Sequence, residues 1–159
     1  MASTEKNLSS YSSKNLSDMS QKRFAIITAE WNEDITSSLC NGAIETLKYN
    51  GVKPTNIIQV DVPGTYELSF AAQKMAQNKD IDAVVCIGCV IKGETSHNEY
   101  INHAVAQGLT DVSLKYDKPV VFGVLTPNTK QQGLDRAGGK HGNKGDEAAI
   151  TAIKMLSIK

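Results

Sequence analysis

The stretch Lys92-Gly93-Glu94-Thr95-Ser96-His97 sets an imidazole directly after a glycine and two hydroxyls, between a strongly apolar run and a segment of helical period. Backbone amides that open a helix carry the positive end of its dipole, and a phosphate or another anion is well placed there. An N-cap role for Thr95 or Ser96 accounts for the hydroxyls without any ligand, but it leaves His97 unused. Beside an anion seat, His97 has the chemistry of a general base and acid near neutral pH. His103 and His141 have weaker claims.

Three aromatic residues fall near the same kind of position. Trp31 follows the first β-rich run directly, where a flat apolar face suits stacking on a planar ring, although packing under a loop is an equally simple use of it. Tyr66 and Phe122 border the same edge, and aromatic walls with a few polar groups are the usual make-up of a small-molecule pocket. Further along, Arg136, Lys140 and Lys144 surround the glycine-rich segment Gly138 to Gly145. Exposed amides with basic side chains suit a phosphate, though a plain charged loop has the same composition, and no Gly-Lys-Ser/Thr follows a strand as a P-loop requires. Cys86 and Cys89 are spaced as C-x-x-C, but three residues along a strand point to opposite faces, so the pair forms neither a disulfide nor a metal site. No metal is expected.

These residues need a frame that brings them together. From Arg23 onward, short β-rich runs alternate with segments of helical period, the pattern of right-handed βαβ crossovers and a parallel sheet covered on both faces. The strands are expected at Phe24 to Ala29, Ile57 to Val62, Ala83 to Ile91 and Pro119 to Leu125, the third being apolar on both faces and hence central. Asn32 or Asp34 caps a helix carrying Ile35, Leu39, Ala43 and Leu47, which Asn50-Gly51 closes through a left-handed residue. Leu68, Ala71, Ala72, Met75 and Ala76 mark the next helix, and Ile101, Ala104, Val105, Gly108, Leu109 and Val112 the clearest amphipathic one. A short helix around Gln131 to Ala137 and a longer one with Ala149, Ile153 and Leu156 complete a four-stranded three-layer α/β/α sandwich. Open parallel sheets bind ligands beyond the carboxyl ends of their strands, and nearly every candidate lies in a loop at those ends.

The bulk properties agree with a small-molecule protein. The 159 residues fit one domain, with residues 1–22 expected as a serine-rich flexible tail and 23–159 as the folded unit. Seventeen Lys+Arg balance seventeen Asp+Glu, so no excess charge points to nucleic acid or an anionic membrane. The run from Ala83 to Ile91 is about half the length that crosses a bilayer. The opening residues read as neither a secretory signal nor a transit peptide, and an odd number of cysteines fits a reducing compartment, so a cytoplasmic location is expected.

Taken in order, the run from Gly88 to Tyr100 (GCVIKGETSHNEY), Pro63 to Glu67 (PGTYE), Gly123 to Thr126 and Arg136 to Gly145 resemble lumazine synthases, from about Arg23 to Leu156. The resemblance implies a flavodoxin-like sandwich that condenses 5-amino-6-(D-ribitylamino)uracil with 3,4-dihydroxy-2-butanone 4-phosphate. The products are 6,7-dimethyl-8-ribityllumazine, phosphate and water, and no cofactor takes part. It implies that Trp31 stacks on the pyrimidine, that Thr65, Tyr66, Glu67, Cys89, Val90 and Ile91 hold the ring edge and ribityl chain, and that Phe122 closes the pocket from an adjacent subunit. Glu94, Thr95 and Arg136 then receive the phosphate and His97 moves protons, with Lys144 accessory and either Glu99 or Glu147 orienting groups. The same resemblance implies a homopentamer, a 60-subunit icosahedral shell favoured by the short Gly138 to Gly145 turn, and riboflavin synthase as a partner. Three residues depart from the common pattern: Glu94 stands where a small residue is usual, so its backbone N–H must bind; Asn98 replaces an aromatic, and Lys92 an arginine. A non-catalytic pyrimidine- or flavin-binding relative and a flavin electron carrier are the competing readings.

Overall fold

The computed structural model describes residues 18–158. Its frame is a four-stranded, all-parallel sheet of β1 (Phe24–Ala29), β2 (Ile57–Val62), β3 (Ala83–Cys89) and β4 (Val120–Leu125), in the order β2-β1-β3-β4. β1 and β3 are buried at every position, as continuous apolar runs inside a doubly covered parallel sheet must be. Their alternate residues feed two cores. Phe24, Ile26, Val85 and Ile87 pack toward α1 (Glu33–Tyr49) and α5 (Lys144–Leu156), while Ala25, Ile27, Val84 and Cys86 pack toward α2 (Leu68–Gln77) and α3 (His97–Tyr116). The three-layer parallel sandwich expected from the sequence is the one observed, with Cys86 in one core and Cys89 in the other.

Helix α1 buries Ile35, Leu39, Ala43 and Leu47 along the stripe that their spacing defines. It ends at Asn50, after which Gly51 takes φ +90. Its start differs from expectation. Asn32 occupies the N-cap position in a left-handed conformation, φ 62 and ψ 45, and makes no side-chain cap bond. Helix α3 also differs, since only Val105, Leu109 and Val112 are buried, whereas Ala104 is exposed and Tyr100 and Leu114 face outward.

β3 stops at Cys89, two residues short of the expected Ile91, and beyond it β1 continues only beside β2, with Glu30 N–H donating to the Val62 carbonyl (2.8 Å). Val90 and Ile91 leave the strand for the loop but still follow the end of β4, with Val90 N–H donating to the Leu125 carbonyl at 2.8 Å and Lys92 N–H to the Pro127 carbonyl at 2.9 Å. The short helix α4 spans Lys130–Leu134, capped by Thr129, and ends before Ala137. Between it and α5 lies an element that the sequence did not suggest: β5 (Ala137–Gly139) pairs antiparallel with β6 (Gly142–Asn143), with Gly138 at φ +104 and Gly142 at φ +72. Glycine takes these backbone angles without a Cβ clash, so the segment expected as a plain basic turn is a tight hairpin. Asn143 then caps α5 by accepting from Gly145 N–H at 2.8 Å.

Packing begins inside the segment expected to be a tail. Met19 is 2% exposed, Lys22 pairs with Asp82 at 2.8 Å, and Asn56 Nδ2 donates to the Ser20 carbonyl. The rest of that expectation, residues 1–17, lies outside the described residues.

Candidate functional site

The chain lays β2 on one side of β1 and β3 on the other, so the switch point falls between β1 and β3, and a cavity of about 590 Å³ opens there at the carboxyl ends of the strands. The loop after β1 supplies Trp31 and Asn32. The turn after β2 supplies Gly64, Thr65, Tyr66 and Glu67, the end of β3 supplies Cys89, Val90 and Ile91, and the first turns of α3 supply His97 and Ile101. Eight of the residues singled out in the sequence therefore meet in one concavity. Trp31 is 74% exposed and Tyr66 59% exposed, two aromatic side chains open to a ligand in the single chain. Thr65 is buried at the base of the turn that presents Tyr66 and Glu67.

His97 is the first residue of α3 and stands exposed at the rim. Its N–H donates to Thr95 Oγ1 at 3.4 Å, whereas Ser96, at the cap position itself, makes no side-chain cap bond. Lys92, Gly93, Glu94, Thr95 and Ser96 are all exposed at this helix start, where Lys92 N–H is taken by the Pro127 carbonyl and Glu99 N–H by that of Ser96. Cys89 forms part of the floor as a neutral thiol. Burial, helped by the charge of Asp34, pushes its pKa up to about 11, and burial pushes the Cys86 thiol up further. Neither behaves as a nucleophile near neutral pH. Among the described residues no group of three or more His, Cys, Asp or Glu side chains could hold a metal ion.

The remaining candidates lie elsewhere in the chain. Phe122, Arg136, Lys144 and Glu147 line a second cavity of about 720 Å³ along the free edge of β4, together with Gln132, Thr126 and Thr151. Phe122 is 41% exposed on this edge strand. Arg136 is steadied by its Nη1 donating to the Gln132 carbonyl at 3.0 Å, and Lys144 is ion-paired with Glu147 on the first turn of α5. Lys140 instead pairs with Asp135 at 3.2 Å. Glu94, Thr95 and Glu99 line neither cavity. The single chain thus does not unite Arg136 with Glu94 and Thr95, the grouping that the phosphate expectation required. Two further lining residues escape a reading of the sequence: Asn32 has the spacing of a cap and nothing more, and Gln132 carries no local signal.

The fold and the first cavity define a small-molecule site of the kind that open, flavodoxin-like parallel sheets build at their switch point. Comparison with known proteins narrows that class. Residues 21–159 match the family model for 6,7-dimethyl-8-ribityllumazine synthase. The protein of that name from Cytophaga hutchinsonii is 57% identical over 157 residues, covering 99% of this chain and 98% of that one. Its counterpart in Parabacteroides distasonis is 50% identical over 99% of both chains, and that of Porphyromonas gingivalis 47% identical over 100% of this chain and 99% of its own. The chain belongs to the 6,7-dimethyl-8-ribityllumazine synthase family.

Proposed function

We propose that this chain is a cofactor-independent transferase that condenses 5-amino-6-(D-ribitylamino)uracil with 3,4-dihydroxy-2-butanone 4-phosphate, the penultimate step of riboflavin biosynthesis. The observation that carries this reading is the convergence of Trp31, Thr65 to Glu67, Cys89 to Ile91 and His97 on one cavity at the switch point. Trp31 stacks on the pyrimidine, while the backbone of the Thr65 to Glu67 turn and of Cys89 to Ile91 receives the ring edge and the ribityl hydroxyls. The open amides around Glu94 and Thr95 take the phosphate, with the Glu94 carboxylate turned away.

Chemically, the pyrimidine amine adds to the ketone and loses water to give an imine, phosphate is eliminated to leave an enol that tautomerises to a ketone, and the second amine attacks that ketone and closes the ring with loss of a second water. His97, at the rim beside the phosphate seat, accepts and returns the protons that these steps move, which contributes about 10²- to 10⁴-fold. Holding both substrates in one cavity supplies much of the remaining acceleration.

The division of candidates between two cavities supports a site completed by a second copy of the chain. Phe122 and Arg136 lie on the uncovered β4 edge, where an apolar strand invites a partner. A neighbour's edge placed over the Trp31 cavity brings its Phe122 against the ring and its Arg136 to the phosphate, with Lys144, Glu147 and Glu99 in supporting positions. A heterologous contact of this type closes into a ring, here a homopentamer, and the tight hairpin at Ala137 to Asn143 favours a 60-subunit shell. Sedimentation that shows only a five-subunit species would exclude the shell. A cytoplasmic location and riboflavin synthase as protein partner go with this pathway step.

Purified protein mixed with both substrates is expected to accelerate the appearance of fluorescent lumazine over the uncatalysed background. Binding of the pyrimidine without acceleration would identify a non-catalytic relative instead.

A further inference from the structure

β1 pairs with β3 only as far as the partners Thr28 and Ile87, whereas its pairing with β2 runs on to Ala29 and Val62. The two central strands separate at their carboxyl ends, and the crevice between them is part of the Trp31 cavity. One side chain spans it. Asn32 Nδ2 donates to the Cys89 carbonyl at 2.8 Å, across 57 positions of sequence.

Asn32 does so from an uncommon backbone conformation. With Asp117 it is one of two non-glycine residues of positive φ among the described residues. Asparagine tolerates the left-handed region better than most residues but still incurs a steric cost there. Its side chain makes no cap bond, while its carbonyl already starts α1 by accepting from Ile35 N–H at 2.8 Å and Thr36 N–H at 3.0 Å. The amide is therefore directed away from the helix and across the crevice. Trp31, the preceding residue, is largely exposed, and within the chain the edge of its ring lies beside Gly64. Two backbone tethers fix where that ring starts from: its own N–H to the Pro63 carbonyl at 3.3 Å on one side, and the Asn32 clip to Cys89 on the other.

We propose that Asn32 is a positioning residue whose amide sets the width of the slot between the Trp31 ring and the Cys89 to Ile91 backbone, so that a planar ring fits between them. It acts on binding of the pyrimidine, through Trp31, and not on proton transfer at His97. This rests on the reading of the first cavity as the pyrimidine site.

Two substitutions separate the amide from the backbone angle. Asn32→Gly keeps the left-handed conformation at no steric cost and removes the donor, and Asn32→Asp keeps the shape but sets a carboxylate oxygen against a carbonyl. Trp31 is the only tryptophan, so fluorescence anisotropy and acrylamide quenching of the full-length, ligand-free protein report its ring directly. Both variants are expected to lower the anisotropy and increase the quenching. In each, KM for the pyrimidine is expected to rise about tenfold with kcat within about twofold, as loss of one hydrogen bond that acts only on binding requires. Unchanged Trp31 fluorescence with unchanged KM in Asn32→Gly would overturn the proposal. A loss confined to melting temperature or to kcat would also overturn it, by giving the amide a purely structural or catalytic role. Since the fluorescence measurement needs no substrate, it tests the clip even if the cavity proves to hold a different ring.

Discussion

In the proposed reaction His97 moves protons and Arg136 holds the phosphate, so their replacement should separate in kinetics. His97→Ala removes proton transfer but leaves the Trp31 cavity lined, so kcat should fall by about 10²- to 10⁴-fold while pyrimidine binding, measured by Trp31 quenching, stays near wild type. An unchanged kcat would remove His97 from the mechanism. Arg136→Ala should abolish saturation by the phosphate substrate, and normal saturation would contradict its assignment. Cys89 carries a prediction of another kind. Its thiol ionises near 9.0 in an unfolded chain and at about 11 in the folded one, so the unfolded state loses its proton first as pH rises. The stability this provides is complete below pH 9.0 and disappears as pH approaches about 11. Melting temperatures followed through that window should fall less steeply for Cys89→Ala than for wild type.

At the level of elements, the contact between α1 and α5 is close enough that glycines within it tolerate no added carbon. A Cβ on Gly145 would run into the Leu39 carbonyl oxygen, and one on Gly42 into the Asp146 carboxylate. Backbone cannot yield there without lifting the first turn of α5, which carries Lys144 and Glu147. Gly145→Ala should therefore cost at least the upper part of the roughly 1–3 kcal/mol overpacking range. Gly93→Ala, with nothing within 4 Å of the added carbon, should stay within about 0.5 kcal/mol. Urea unfolding midpoints would distinguish the two, and equal midpoints would show that α5 docks more loosely than its geometry indicates.

For the whole molecule, the proposed site between two copies of the chain can be tested directly. If His97 of one subunit works with Arg136 of its neighbour, assemblies of His97→Ala alone or Arg136→Ala alone contain no complete site. Oligomers reassembled from a mixture of the two should then recover activity, because some interfaces pair an intact His97 with an intact Arg136. A site contained within one chain would show no recovery at any mixing ratio. The outward-facing Tyr100 and Leu114 on α3 and the free edge of β4 are the surfaces that assembly would cover.

Much of this was legible in the residues themselves. Apolar runs of six or seven residues alternating with three-to-four-residue periodicity determine a parallel sandwich, because strands buried on both faces and helices with one apolar stripe have few other ways to pack. The Thr65 to Glu67 turn and the His97 helix start were likewise marked by composition at strand ends, whereas Cys89 to Ile91 read as strand and took a site role only through the family resemblance. Tertiary structure alone decided the rest. The spacing of Asn32 fits a helix cap, and only the separation of β1 from β3 turns its amide toward Cys89. The glycines at 138 and 142 fit a loose basic turn, and only pairing of Ala137 with Asn143 makes them a hairpin. Most consequentially, linear order gives no sign that Phe122 and Arg136 lie on a different surface from Trp31. That separation is set by β4 being an edge strand, a property of sheet order that no local run of residues encodes.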